Sequence, residues 1–251
     1  MTGTPPLILA HRGTRKYAPE NSIPSFIKAV ELGVDGVEFD LLSTADGLPI
    51  VCHDDNLHKL SNKHLHIHRT NWRDLKDVDI GKLFNPFYAG ENIPTLKEAL
   101  EVLAGKNMFI NIELKKQPQQ NGDFVKNVVE TLDLYKGSFR GVLLSSFSKE
   151  LLYQAGRAAP QIDRGLLLLP RAFFFLDALF FGNILVVQWL NIHTSSLGGR
   201  IMRHAKAKGL KVFVWTPNEV NDIKKALEAG VDGIISDEPV LVKEVVREHY
   251  G

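Results

Sequence analysis

The chain has 251 residues, 44% of them apolar and 24% charged, with a formal net charge of +1. That length suits a single barrel-sized α/β domain spanning residues 1–251, and the near-neutral balance offers no field for capturing nucleic acid or an anionic membrane. The lone cysteine, Cys52, excludes an intramolecular disulfide framework and suits a reducing compartment.

Met1 to Pro6 carries no basic segment ahead of an apolar run, so no secretion signal is expected and the chain reads as cytoplasmic. From there, short β-type runs alternate with helical periods. The predicted strands are Leu7–Ala10, Gly36–Leu41, Pro49–His53, Met108–Leu114, Val142–Ser146, Arg164–Leu169, Ile184–Leu190, Lys211–Trp215 and Gly233–Ser236. Most are continuous apolar runs, the pattern of strands covered on both faces. Helical spacing links Leu96, Ala99, Leu100 and Leu103, then Val125, Val128, Val129 and Leu132, and more loosely Val220, Ile223 and Leu227. The alternation predicts a parallel sheet, open or closed. One unit recurs: Glu31–Asp40 resembles Glu228–Asp237, each with a helix ending at Gly, a tight turn and a strand closing on Asp.

Nine candidate strands exceed the eight of a closed barrel. Asp46-Gly47 favours a two-residue hairpin, so one flanking run is an accessory antiparallel strand. In that register Ala45 pairs with Leu48 and Asp40 lies across from His53. Residues 55–92 lapse into polar, turn-rich sequence and read as an insertion at the rim, with Pro94 opening the next helix. The apolar stretch Gly165–Leu190 is interrupted by Pro170, Arg171, Asp177, Gly182 and Asn183, too often for a membrane span. Its Phe173–Phe181 clusters are expected inside the fold, with contact to a lipid surface or second subunit as the alternative.

Barrel enzymes carry their chemistry at the C-terminal ends of strands. Here those ends hold His11-Arg12-Gly13, Glu38 and Asp40, His53-Asp54, Glu113 and Lys115, Ser145-Ser146, Trp215 and Asp237. Period-two alternation puts Glu38 and Asp40 on one face and Asn111, Glu113 and Lys115 on another. Three carboxylates converging on one mouth call for a hard divalent cation such as Mg²⁺ or Ca²⁺, or for salt bridges from Arg12 and Lys115. His11 and His53 flank the cluster and suit base and acid at neutral pH. Arg12 and Lys115 suit the oxygens of a phosphate. His64, His66 and His68 would share a face on a strand and suit Zn²⁺ or Ni²⁺. No carboxylate stands at matching spacing, and a solvated loop is the expectation.

Taken in order, His11-Arg12-Gly13, Pro19-Glu20-Asn21, Glu38-Phe39-Asp40, Asp46-Gly47, Val51-Cys52-His53-Asp54 and Asn111-Ile112-Glu113-Leu114-Lys115 resemble the glycerophosphodiester phosphodiesterase family. Ile93–Glu98, Ser145-Ser146-Phe147, Val214–Asn218 and Asp232–Pro239 extend the resemblance over nearly the whole chain. It implies a barrel with a small rim insertion after the His-Asp motif, which together with the hairpin gives an α/β fold of the (β/α)8 TIM-barrel type with an extra strand after the second strand. It also implies a divalent cation held by Glu38, Asp40 and Glu113, His11 as base and His53 as acid. Arg12 and Lys115 match phosphate contacts, Trp215 matches a residue lining the substrate side, and Glu20 and Asn21 match positions shaping the first loop. The expected reaction takes a small glycerophosphodiester to sn-glycerol 3-phosphate and an alcohol, with water or the substrate's own hydroxyl attacking. A lysophospholipase D-type activity and a non-catalytic phosphodiester-binding protein are the alternatives.

Overall fold

The computed structural model describes residues 4–118, 122–169 and 187–251. Eight parallel strands close into a barrel: β1 (Leu7–His11), β2 (Gly36–Ser43), β4 (Phe109–Leu114), β5 (Gly141–Ser146), β6 (Asp163–Leu168), β7 (Trp189–His193), β8 (Lys211–Trp215) and β9 (Gly233–Ser236). Closure is made by β1, which pairs with β2 on one edge and β9 on the other. The ninth strand, β3 (Pro49–Val51), lies outside the barrel, antiparallel to the far end of β2. This is the expected TIM-type barrel with its accessory hairpin strand.

Helices cover the outside of the barrel. The described α-helices are α1 (Ile23–Glu31), α2 (His58–Ser61), α3 (Trp72–Leu75), α4 (Leu96–Leu103), α5 (Phe124–Asp133), α6 (Lys149–Ala158), α7 (Gly199–Ala207), α8 (Val220–Ala229) and α9 (Pro239–Tyr250). In α4 the buried residues are Leu96, Ala99, Leu100 and Leu103, the spacing read from sequence. That helix begins at Leu96, two residues after Pro94, because Thr95 and Glu98 close a reciprocal capping box. In α8, Ile223, Ala226 and Leu227 are buried while Val220 is exposed, so the loose period marks only part of the face.

The floor of the barrel is aromatic. Trp189 and Phe213 stack with ring centroids 4.6 Å apart, and Phe109 leans on both at 5.8 Å. Gly233 makes room for this plug, since a Cβ there would lie 2.0 Å from the Phe213 ring. Inward positions recur every second residue, so the strand that places Phe109 at the floor places Glu113 at the mouth.

Two local expectations are corrected. Thr44 pairs with Leu48, leaving a three-residue loop, Ala45-Asp46-Gly47, with Gly47 at φ 85°. The Asp46 carboxylate accepts from the Thr44 hydroxyl at 2.7 Å, and that hydroxyl accepts from Leu48 N–H at 2.9 Å. These bonds hold the longer loop, so Leu41 faces Val51 and Asp40 faces Cys52, with His53 one residue further along. The seventh barrel strand runs Trp189–His193 rather than Ile184–Leu190. Sequence pattern ended the run at Asn191, but that amide points inward and is fully buried. Ile184–Val186 and the Phe173–Phe181 clusters lie outside the described residues. Among the described residues, no helix is long and apolar enough to cross a membrane.

The segment between β3 and α4 folds around a second apolar cluster. Leu57, Ile67, Leu75, Val78, Ile80 and Ile93 pack with Leu42, Ile50 and Cys52 of the hairpin. Hydrophobic burial thus fastens the insertion to the barrel rim.

Candidate active site

The first loop is shaped by two residues in the left-handed region, Arg12 at φ 51° and Gly13 at φ 77°. A Cβ at Gly13 would lie 2.2 Å from Ser25 Oγ, so only glycine fits the turn. The turn aims Arg12 N–H at Glu38 Oε2 (3.1 Å) and its side chain at Glu20 (2.8 Å) and Asp40 (3.4 Å). Asn21, also left-handed at φ 55°, donates from Nδ2 to Asp40 Oδ2 at 2.9 Å. The His-Arg-Gly and Glu-Asn motifs therefore meet at Asp40, through Arg12 and Asn21.

Register alone brings the three acids together. Glu38 and Asp40 stand on β2, Asp40 is the pairing partner of Glu113 on β4, and one oxygen from each of the three lies within 4.8 Å of the others. Lys115 reaches Asp40 at 3.4 Å and Glu113 at 3.2 Å. Burial would raise the Asp40 carboxyl, but Lys115, Arg12 and His53, with the Asn21 bond, outweigh it and hold Asp40 below its usual range. The other two are only partly compensated, Glu38 by Arg12 and Glu113 by Lys115. Burial, then the charges of Asp40 and Glu113, push Glu38 well above the carboxylate range. Burial and Asp40 push Glu113 up to about 7 despite Lys115. The surrounding cations thus outweigh burial at Asp40 alone, and the negative charge still concentrated on the three acids fits a divalent cation bound through hard oxygen donors.

Each histidine is held by its own aspartate. His11 Nδ1 lies 2.6 Å from Asp237 Oδ1, and Asp237 is fixed by Asn218, which donates to Oδ2 at 2.7 Å and accepts from Asp237 N–H at 3.0 Å. His53 Nδ1 lies 2.8 Å from Asp54 Oδ1. A carboxylate on Nδ1 favours the tautomer with the proton there, leaving Nε2 bare toward the pocket. Burial lowers the His53 pKa, with Arg12 and Lys115 adding to the effect against the pull of Asp40 and Asp54.

A cavity of about 420 Å³ opens over these groups, lined by His11, Arg12, Glu38, His53, Glu113, Lys115 and Trp215, with Asp40 buried beside it. All eight residues expected at the site are therefore gathered at one barrel mouth. The structure adds others. Phe147 and Trp215 meet edge-on at 6.0 Å on the apolar wall, His193 meets Trp215 at 4.8 Å, and Arg15 stands 3.7 Å from Asp237. Asn111 lines the cavity with an amide that has no hydrogen-bond partner among the described residues. Asp237 and Asn111 were legible as inward strand positions, while Asn218 and Arg15 sit on loops whose direction no periodicity gives. His193 was hidden by the misplaced end of β7.

The model of the Glycerophosphoryl diester phosphodiesterase family matches residues 11–241. A glycerophosphodiester phosphodiesterase of Caldanaerobacter subterraneus subsp. tengcongensis is 32% identical, over 96% of this chain and 98% of that protein. A phosphodiesterase of Oleispira antarctica, solved with the product sn-glycerol-3-phosphate, superposes with a TM-score of 0.89 at 30% identity, covering 97% of each chain. A human lysophospholipase D, GDPD1, is 27% identical over 95% of this chain and 85% of its own length. By class this is a phosphoric diester hydrolase built on a (β/α)8 barrel. Within that class, the chain belongs to the glycerophosphoryl diester phosphodiesterase family.

Proposed function

We propose that this chain hydrolyses glycerophosphodiesters to sn-glycerol 3-phosphate and an alcohol, with a divalent cation, Mg²⁺ or Ca²⁺, held by Glu38, Asp40 and Glu113. The observation that carries this reading is the pair of aspartate-held histidines facing one cavity beside a carboxylate cluster that its own cations leave under-neutralised. The product-bound structure of the Oleispira antarctica relative supports the substrate class.

The bound cation would offset the three acids and polarise a phosphoryl oxygen. Arg12 and Lys115 stabilise the charge growing on the non-bridging oxygens. His11, oriented through Asp237, takes the proton from the attacking oxygen on Nε2. His53, oriented through Asp54, delivers a proton to the alcohol oxygen as its bond to phosphorus breaks. A phosphate anion beside His53 favours its protonated form and works against the lowering seen in the free site. Trp215 and Phe147 form the wall on which the glycerol or head group rests, and the Asn111 amide offers a polar contact deeper in.

The separate roles of the histidines can be tested through the leaving group. His53→Ala should lose about 10²–10⁴-fold on an alkyl diester such as glycerophosphocholine, and far less on a p-nitrophenyl diester whose leaving group needs no proton. Equal losses on both would remove His53 from the acid role.

The apolar wall of Phe147, Leu167 and Trp215, with Leu169 exposed beyond it, favours a second substrate reading, a lysophospholipid. The name of the human relative points the same way. Choline release from lysophosphatidylcholine exceeding that from glycerophosphocholine would select it.

A further inference from the structure

The insertion carries a second cluster of ligand-type side chains, separate from the barrel acids. Asp55 Oδ2 stands 2.9 Å from His66 Nδ1 and 2.7 Å from His68 Nδ1, and one ligand atom from each residue lies within 4.8 Å of the others. The carboxylate that spacing did not offer to the histidines comes from 11 and 13 residues upstream. His64 is not part of this group; it stacks on His58 at 4.2 Å.

The cluster is built by the backbone. Ile67 N–H donates to Asp55 O at 2.9 Å, and Asn56 bridges to His66, which sets the segments side by side. Between the two histidines, Ile67 is fully buried in the second apolar cluster and begins a 3₁₀ turn, Ile67–Arg69, that brings both imidazoles to one side. Asp55 Oδ1 is occupied, accepting from His68 N–H at 2.9 Å and from Gln117 Nε2 at 3.2 Å. Oδ2 faces the two imidazole nitrogens and is hydrogen-bonded to both, so an ion bound there would take the place of those two bonds.

We infer that Asp55, His66 and His68 form a binding site for a borderline transition-metal ion of the Zn²⁺ class, on the insertion rather than in the barrel. Two imidazole nitrogens and one carboxylate oxygen are a donor set that Zn²⁺ takes at about 2.0–2.2 Å, with a fourth position open to water. Mg²⁺ and Ca²⁺ prefer all-oxygen sets such as the barrel acids, so the two clusters select different metals. His66 is half exposed, which gives the ion a way in, while His68 is nearly buried. Binding at Nδ1 moves each ring proton to Nε2, so Arg69, which donates to His68 Nε2 at 3.0 Å, swings away; its side chain is exposed. The ion would clamp Asp55, whose chain neighbour Asp54 holds His53 and whose partner Gln117 also bonds Ser43 at the end of β2. The site would thereby stiffen the junction between insertion and barrel.

The test is titration of the full-length protein with Zn²⁺ alone, by competition with a chromophoric chelator, beside His66→Ala, His68→Ala and Glu113→Gln. One equivalent is expected to bind the wild type, to be retained in Glu113→Gln, to be undisturbed by excess Mg²⁺ and to be lost in His66→Ala. His66 is half exposed, so its variant keeps the fold even where His68→Ala does not. Absence of that equivalent, or its persistence in His66→Ala, would leave Asp55, His66 and His68 as a hydrogen-bonded cluster only.

Discussion

The Asp237 carboxylate shows how a single side chain acts through another. Burial would raise it, but the bond and charge of His11, with Asn218 and Arg15, hold it below its usual range. Its bond orients His11, and under the proposed mechanism Asp237→Asn should lower kcat by about 10²-fold or more while KM changes little. Steady-state kinetics decide this, and a rise in KM at constant kcat would assign Asp237 to substrate binding instead. Glu113 gives the opposite electrostatic case. Its folded pKa is pushed up to about 7, so the folded state holds a proton that the unfolded chain releases near 4.3. Stability of the cation-free protein therefore falls as pH rises from about 5 to 7, since the unfolded state binds fewer protons across that window. Saturating Mg²⁺ or Ca²⁺ should remove the fall, because the ion takes the place of the proton. Thermal melts at several pH values, with EDTA and with cation, measure both slopes. The buried Cys52 is shifted in the same direction as Glu113: burial first, then nearby acids, push its thiol far up.

At the scale of elements, strands were easier to read than their ends. Short β-type runs, most of them continuously apolar, marked all of the barrel strands except the seventh, whose buried Asn191 looked like a terminus because a barrel interior tolerates polar groups that a sequence pattern treats as surface. The hairpin was legible from Asp46-Gly47, but its register was not. Thr44 and Asp46 side chains hold a three-residue loop, and a one-residue slip changes which residue faces Asp40. Helix faces in α4 and α5 follow their apolar period directly, because both pack on the barrel along one stripe. The aromatic floor was invisible: Phe109, Trp189 and Phe213 are far apart in sequence, and nothing in their spacing announces a plug. Truncating its fully buried centre, Phe213→Ala, should destabilise the protein by about 3–5 kcal/mol in denaturant melts. A loss under 1 kcal/mol would mean that the floor contributes little to barrel stability.

For the whole molecule, the barrel explains why so much of the site could be read in advance. A closed parallel barrel sends every second residue of every strand inward and gathers the strand ends at one mouth, so Glu38, Asp40, Glu113, His11 and Trp215 meet without any knowledge of the loops. What could not be read arises where chain direction is set by loop packing: Asn218 reaching Asp237, and Asp55 meeting His66 and His68. The insertion joins the barrel through a shared apolar cluster, so Ile67→Ala should loosen the His53–Asp54 segment along with it, at a stability cost of about 2–5 kcal/mol. Hydrogen exchange of residues 53–69 would register that loosening. The function proposed for the barrel mouth is cation-dependent diester hydrolysis. Its most direct test is release of sn-glycerol 3-phosphate from glycerophosphocholine by EDTA-treated enzyme, before and after Mg²⁺ or Ca²⁺, beside His11→Ala. Release is expected only with cation and is lost in the variant; release that survives EDTA, or that His11→Ala leaves intact, would overturn the proposed function.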